Sequence, residues 1–152
     1  NEGMIQRHID SVIGLAKQAE SIAEFPVGAM VIDSKGEVIG IGYNQKETLK
    51  DPTAHAEVLA IRDAVKCIGD WRLIGTTLLT TLEPCPMCLG AIIQARIAKI
   101  VFLAKDIRWG ACGSVMDFSN HDALNHRCEV EFLVNDEVVG LMKEFFNDQK
   151  KR

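Results

Sequence analysis

Two short apolar runs on either side of a helical segment constrain this chain more than anything else in it. Thr76 to Leu82 and Lys99 to Ala104 are rich in β-branched and apolar residues and lack the polar alternation of a half-exposed strand. Both therefore read as strands covered on both faces. Pro86 to about Ala95 reads as a helix between them, and strand, helix, strand in that order implies a right-handed parallel crossover. Such a sheet needs helices on both sides, and the rest of the chain supplies them. Ile5, Ile9, Val12, Ile13, Ala16, Ala19 and Ala23 recur at three- and four-residue steps, the stripe of an amphipathic helix that Pro26 ends. Val27 to Ile32 and Val38 to Gly42 read as a hairpin around Ser34-Lys35-Gly36-Glu37. Asp51-Pro52 predicts a helix start, the helix running to about Ile68. Trp109 to Arg127 reads as a long loop with a short helix, Glu129 to Leu133 as a strand near an edge, and Asn135 as the cap of a last helix. The expectation is an α/β fold, a three-layer α/β/α sandwich around a central mixed five-stranded sheet.

The 152 residues amount to one domain, 1–152, with room for a core that needs no disulfide to hold it. A hydrophobic share of 47% with 25% charged excludes intrinsic disorder. No apolar run approaches the ~20 residues of a membrane helix, and no signal peptide is evident, so a cytoplasmic setting is expected. Five cysteines are an odd number for a disulfide framework, which favours a reducing compartment. Cys67, Cys112 and Cys128 are expected to be buried thiols. A net charge of −4 argues against a broadly basic nucleic-acid binder. Arg96, Lys99, Lys105 and Arg108, and the terminal Lys150-Lys151-Arg152, remain readable as a local basic strip or as solvated surface.

The chemistry is concentrated in His55-Ala56-Glu57 and Pro84-Cys85-Pro86-Met87-Cys88. Cysteines three apart on one helical turn point the same way and can grip one ion. With Cys85 at a helix N-cap, unpaired N–H groups and the positive end of the helix favour thiolates. Two thiolates and the His55 imidazole make three protein ligands for one Zn2+ per chain, leaving the fourth tetrahedral position open as in catalytic rather than structural zinc sites. Zinc lowers the pKa of a water from ~15.7 toward neutrality, and Glu57 is the candidate base. The chemistry this supports is hydrolysis at an electrophilic sp² carbon. A redox dithiol would leave His55 and Glu57 unexplained. One geometric demand follows. Residues two apart in a helix lie ~200° apart, so His55 and Glu57 can serve one site only against a helix's first turn, with both helix N-termini converging on the metal.

H-x-E with P-C-x-x-C is the signature of zinc-dependent nucleobase deaminases. The chain resembles the bacterial tRNA-specific adenosine deaminases of the cytidine/deoxycytidylate deaminase superfamily. The likeness runs through Phe25-Pro26-Val27-Gly28-Ala29, Asp51 to Glu57, Thr81-Leu82-Glu83-Pro84-Cys85, Gly113-Ser114-Val115-Met116-Asp117, Asn125-His126-Arg127 and Phe145-Phe146. The resemblance implies a cytidine-deaminase-like fold, a homodimer, and conversion of adenosine to inosine at the wobble position of a tRNA anticodon loop. It implies zinc on His55, Cys85 and Cys88, and a Glu57 that moves protons between water, purine N1 and the departing amine. It further implies that Asn44 bonds a flipped-out adenosine, that Asp106 meets the preceding nucleotide, and that Pro26 and Ala56 line the pocket. Taken alone, Asn44 is equally a turn residue after Gly42-Tyr43.

The chain departs from the family pattern at Phe25, where a smaller aliphatic residue is usual, at Asp122 and at Asn147-Asp148. Trp109 is readable as a base-stacking or a packing residue, and His8 and His121 carry no assigned role. HAE and PCxxC are shared with free-base deaminases, so a deaminase of guanine is the alternative within enzymes. A noncatalytic zinc-stabilised RNA-binding module is the alternative outside them.

Overall fold

The computed structural model describes residues 2–150, with side chains over 3–148; the basic run Lys150-Lys151-Arg152 lies outside the described side chains. In chain order the elements are α1 (Glu2–Gln6), α2 (Ile9–Ser21), β1 (Gly28–Ile32), β2 (Val38–Tyr43), α3 (Ala56–Ile68), β3 (Thr77–Thr80), α4 (Pro86–Gln94), β4 (Lys99–Phe102), β5 (Glu129–Phe132) and α5 (Asp136–Lys150). The strands form one five-stranded sheet in the order β2-β1-β3-β4-β5. β1 runs antiparallel to β2 and β3, while β3–β4 and β4–β5 are parallel. The expected mixed sheet is present, with the expected parallel crossover through α4. The unalternated runs are its buried centre, and β5, half-exposed along its length, is an edge.

Glycines fix the layering. In an antiparallel ladder directly opposed residues share a face, so Ala29 with Gly42 and Val31 with Gly40 point one way, and Gly28 with Tyr43 the other. A Cβ on Gly40 would overlap the Ala60 carbonyl and lie 2.6 Å from the Ala64 nitrogen, both in α3, and one on Gly28 would lie 2.7 Å from the Ala16 nitrogen in α2. Hence α3 and α2 press on opposite faces, each close enough to exclude a side chain. α4 packs beside α3, and α5 joins α2 through Lys17 and Glu137, 2.7 Å apart. The result is the expected three-layer α/β/α sandwich.

The structure differs from the sequence reading in three helices. The N-terminal stripe is interrupted at Arg7-His8, where Arg7 Nη2 and His8 Nε2 each lie 2.8 Å from the Gly36 carbonyl of the hairpin turn, giving His8 a structural role. The second helix starts at Ala56 rather than Asp51. Asp51 Oδ1 accepts the Thr53 N–H at 2.8 Å and the Thr53 hydroxyl at 2.7 Å, so the cap-like Asp closes a local turn instead of a helix. The last helix is capped as expected, Asn135 Oδ1 accepting the Val138 N–H at 3.1 Å. The 109–127 stretch is turns and loop, with an isolated bridge between Cys112 and Asp117 in place of the short helix expected there.

Candidate active site

The late start of α3 resolves the demand made of His55 and Glu57. His55 is the N-cap of α3, with φ −78° and ψ 153°, so it stands outside the helix and the ~200° rule for helical neighbours does not bind it. Cys85 is likewise the N-cap of α4, with Pro86 in the first turn. Both helix starts converge. His55 Nδ1 lies 3.6 Å from Cys85 Sγ and 3.5 Å from Cys88 Sγ, and all three donor atoms lie within 4.8 Å of one another. A tetrahedral zinc with Zn–S of ~2.3 Å and Zn–N of ~2.0–2.1 Å sets its nitrogen and sulfur ligands about 3.6 Å apart. The donor set therefore fits zinc in chemistry and spacing. Among the described residues it is the one such cluster of His, Cys, Asp or Glu, and it contains three donors.

The site's electrostatics follow from crowding. Cys85 is pulled down to about 4, first by a hydrogen bond from the Cys88 thiol and then, against the cost of burial, by the His55 ring and the Cys88 backbone N–H. Cys88 moves well up, through Cys85 and through burial. The pair shares a proton that a divalent cation would displace, giving two thiolates. The hydrogen bond to Cys85 raises His55. Glu57, 4% exposed, is pushed up to about 7, by burial above all and also by the Cys85 charge. A carboxyl poised near neutrality both accepts and releases protons.

His55, Glu57 and Cys85 line a cavity of about 520 Å³ that Asn44, Ala56 and Asp106 also line. Pro26, expected there, does not line it. It is buried between Phe25 and Val27, which do. Asn44 Nδ2 donates to the Phe25 carbonyl at 3.3 Å and its Oδ1 accepts the Lys46 N–H at 3.4 Å. Both bonds are long, leaving the amide at the wall able to exchange partners. The zinc-binding region of the cytidine and deoxycytidylate deaminases, as a family model, matches residues 4–104. The chain belongs to that family. A tRNA-specific adenosine deaminase of Bacillus subtilis (strain 168) is 40% identical over 146 residues, 95% of this chain and 90% of that one. A solved structure from studies of A-to-I editing by tRNA:A34 deaminases at the wobble position of transfer RNA superposes with a TM-score of 0.79 at 35% identity, covering 84% of this chain and 97% of that one. A guanine deaminase of Bacillus subtilis gives a TM-score of 0.64 at 31% identity, with 93% of each chain covered.

In this deaminase two buried carboxylates that the sequence reading missed hold the loops around the cavity. Glu83, 2% exposed, accepts backbone N–H groups of Asp106 at 3.1 Å, Cys112 at 3.0 Å and Ser114 at 3.1 Å, and also the Ser114 hydroxyl. Its one sequence signal is a lone charge between an apolar strand and Pro84-Cys85. Glu24 accepts the N–H of Glu47 at 3.2 Å and of Thr48 at 2.6 Å, and the Thr48 hydroxyl at 2.7 Å. Burial pushes the Glu24 carboxyl up, but the Thr48 and Glu47 bonds outweigh it and hold it below its ordinary value. Phe25, the departure from the family pattern, packs against Phe145 and Phe146 with ring centroids 5.2 and 5.7 Å away, which seats α5 at the cavity. The basic strip is divided. Lys99 pairs with Glu131 at 2.8 Å and Arg96 covers Trp71, while Arg108 lines the cavity and stacks on Phe146 at 4.1 Å. Cys112 and Cys128 are buried as expected, burial pushing Cys128 up to about 11, whereas Cys67 is exposed. No helix among the described residues is long and apolar enough to cross a membrane.

Proposed function

We propose that this chain is a zinc-dependent hydrolase that converts adenosine to inosine at the wobble position of a tRNA anticodon. The observation that carries the proposal is the convergence of three zinc donors at tetrahedral spacing beside a cavity that His55, Cys85 and the buried Glu57 line. The identity to tRNA-specific adenosine deaminases across nearly the whole chain supports the substrate. His55, Cys85 and Cys88 hold the metal. Zinc, when bound, supplies the Lewis acidity that makes water nucleophilic near neutral pH. Glu57 takes a proton from the attacking water and delivers it to purine N1 as the oxygen bonds C6. It then carries the proton of the new C6 hydroxyl to the exocyclic nitrogen, so that the C6 carbonyl forms as the C6–N bond breaks and ammonia leaves. Asn44 offers an amide edge to the base, Ala56 at the first turn of α3 leaves room for it, and Asp106 meets the preceding nucleotide. Pro26 acts from behind, by setting the course of Phe25 and Val27. The reading includes one zinc per chain, a single domain over 1–152 and a cytoplasmic homodimer; free cysteines at the site suit a reducing compartment.

A second reading, deamination of a free base such as guanine, is favoured by the likeness to a guanine deaminase. Incubation of the zinc-loaded protein with tRNA, adenine and guanine separates the two. Inosine in the anticodon is expected, and turnover of free base alone would overturn the tRNA assignment.

A further inference from the structure

The loop beyond β4 is held by its own hydrogen bonds and by buried Glu83. Asp106 Oδ1 accepts the N–H of Arg108 at 3.0 Å and of Trp109 at 3.2 Å, and the Asp106 carbonyl accepts the Gly110 N–H at 2.9 Å. The turn is pressed onto buried Glu83 so closely that a Cβ on Gly110 would lie 2.5 Å from Glu83 Oε1. From this turn Trp109 projects into the same cavity as Glu57, yet it remains 64% exposed. Among the described residues no ring or cation stacks on it. Trp71, by contrast, has Arg72 and Arg96 over its face, and Arg108 covers Phe146. An indole presents up to ~250 Å² of mainly apolar surface, so an open indole on the cavity rim offers a bound ligand a large face to cover. Lys46 and Arg108 line the same cavity and can meet phosphates on either side of a bound nucleoside. When one base of a polynucleotide occupies the cavity, its covalently linked neighbours are forced onto the rim.

We infer that Trp109 is a stacking platform for the unpaired nucleobase next to the one in the cavity, an inference that rests on the proposed action on a single-stranded RNA loop. Stacking of this kind is tolerant of sequence, because every base has a π-face, and it strengthens binding without touching the reacting atoms. The site thereby favours a polynucleotide over a free base that has no neighbour to stack.

The chain has two tryptophans, so a Trp71→Phe variant of the zinc-loaded protein leaves Trp109 as its one indole fluorophore. Titration with an anticodon stem-loop RNA is expected to quench that emission saturably, and adenosine alone to leave it unchanged. In kinetics on the same RNA, Trp109→Ala is expected to raise KM about 5- to 150-fold, the equivalent of about 1–3 kcal/mol of stacking, with kcat within about twofold. Trp109→Phe is expected to restore most of the affinity. RNA that binds without quenching, or an unchanged KM in Trp109→Ala, overturns the platform while inosine formation by the wild-type chain sustains the reaction. Quenching by a chain that makes no inosine sustains the platform and overturns the reaction. Failure to bind the RNA at all overturns both.

Discussion

Replacing Gly42 by alanine tests whether the active site is set by how closely β2 and α3 pack. A Cβ there would overlap the Ala56 carbonyl and lie 2.7 Å from the Ala60 nitrogen and 3.0 Å from Leu59 Cβ. Ordinary heavy-atom contact begins near ~3.5 Å, so the first turn of α3 must retreat by roughly 1 Å. His55 caps that turn and Glu57 lies in it, whereas Cys85 and Cys88 belong to α4. The retreat therefore opens the nitrogen–sulfur distances, and metal sites tolerate only about 0.2 Å of such error. We expect Gly42→Ala to lose about 1–3 kcal/mol of stability through overpacking and to weaken zinc retention against a competing chelator. Misplacement of Glu57 by nearly an ångström should lower inosine formation about 10²-fold in protein that keeps its metal. Gly14→Ala is the control. Gly14 is exposed in α2 with nothing within 4 Å of its would-be Cβ, so alanine there should stabilise by about 0.5–1 kcal/mol and leave zinc untouched. A Gly42→Ala protein with wild-type melting, zinc affinity and turnover would refute the reasoning.

Three further substitutions probe the same construction. Glu57→Gln should keep its zinc, read by metal analysis, while kcat falls about 10²- to 10⁴-fold; a metal-loaded variant with wild-type kcat would remove Glu57 from the chemistry. His55→Ala should lower the zinc content below one per chain and abolish turnover, and full metal content would mean that the ligands are elsewhere. Glu24→Gln addresses acid stability. Because the folded chain holds Glu24 below its ordinary value of 4.5, the unfolded chain binds more protons near that pH, so the stabilisation is complete above 4.5 and is lost as pH falls through the lower folded value. Urea unfolding should show a clear deficit for the variant at neutral pH that shrinks near about pH 4, and an equal deficit at both would count against the assignment.

How far the sequence could be read depended on whether each signal was local. Unalternated β3 and β4, the stripe of α2 and the Asn135 cap announce themselves within a few residues, and the layering followed from them. The metal ligands were legible because residue type and spacing at Cys85 and Cys88 limit what they can bind. Asp51 misled because the same Asp-Pro-Thr wording serves a helix cap or a closed turn, and the choice lies in where α3 must dock, with Gly40 and Gly42 opposite it on β2. Glu24 and Glu83 were invisible for a related reason. A carboxylate in sequence reads as surface, and only the fold brings two backbone N–H donors and a hydroxyl to Glu24 and three backbone N–H donors to Glu83. Pro26 was placed by analogy at a wall that its neighbours form.

The division of labour along the chain follows the same logic. Residues 4–104, the part that matches the deaminase zinc-binding region, contain all three zinc donors and Glu57, and they also contain Asn44, Ala56 and the glycines that position α3. The residues proposed to activate water and move protons therefore all lie within the region that the family model matches, and HAE and PCxxC alone leave the substrate open. Asp106, Arg108 and Trp109, together with Phe145 and Phe146, lie beyond residue 104, yet they reach the same cavity or its Phe25 wall. Glu83 joins the two parts, one residue from Pro84-Cys85 and bonded to the loop that presents Trp109. Substrate choice can thus change by altering the rim while the metal site stays fixed. The rim residues, rather than the ligands, are where this chain should differ most from a free-base deaminase.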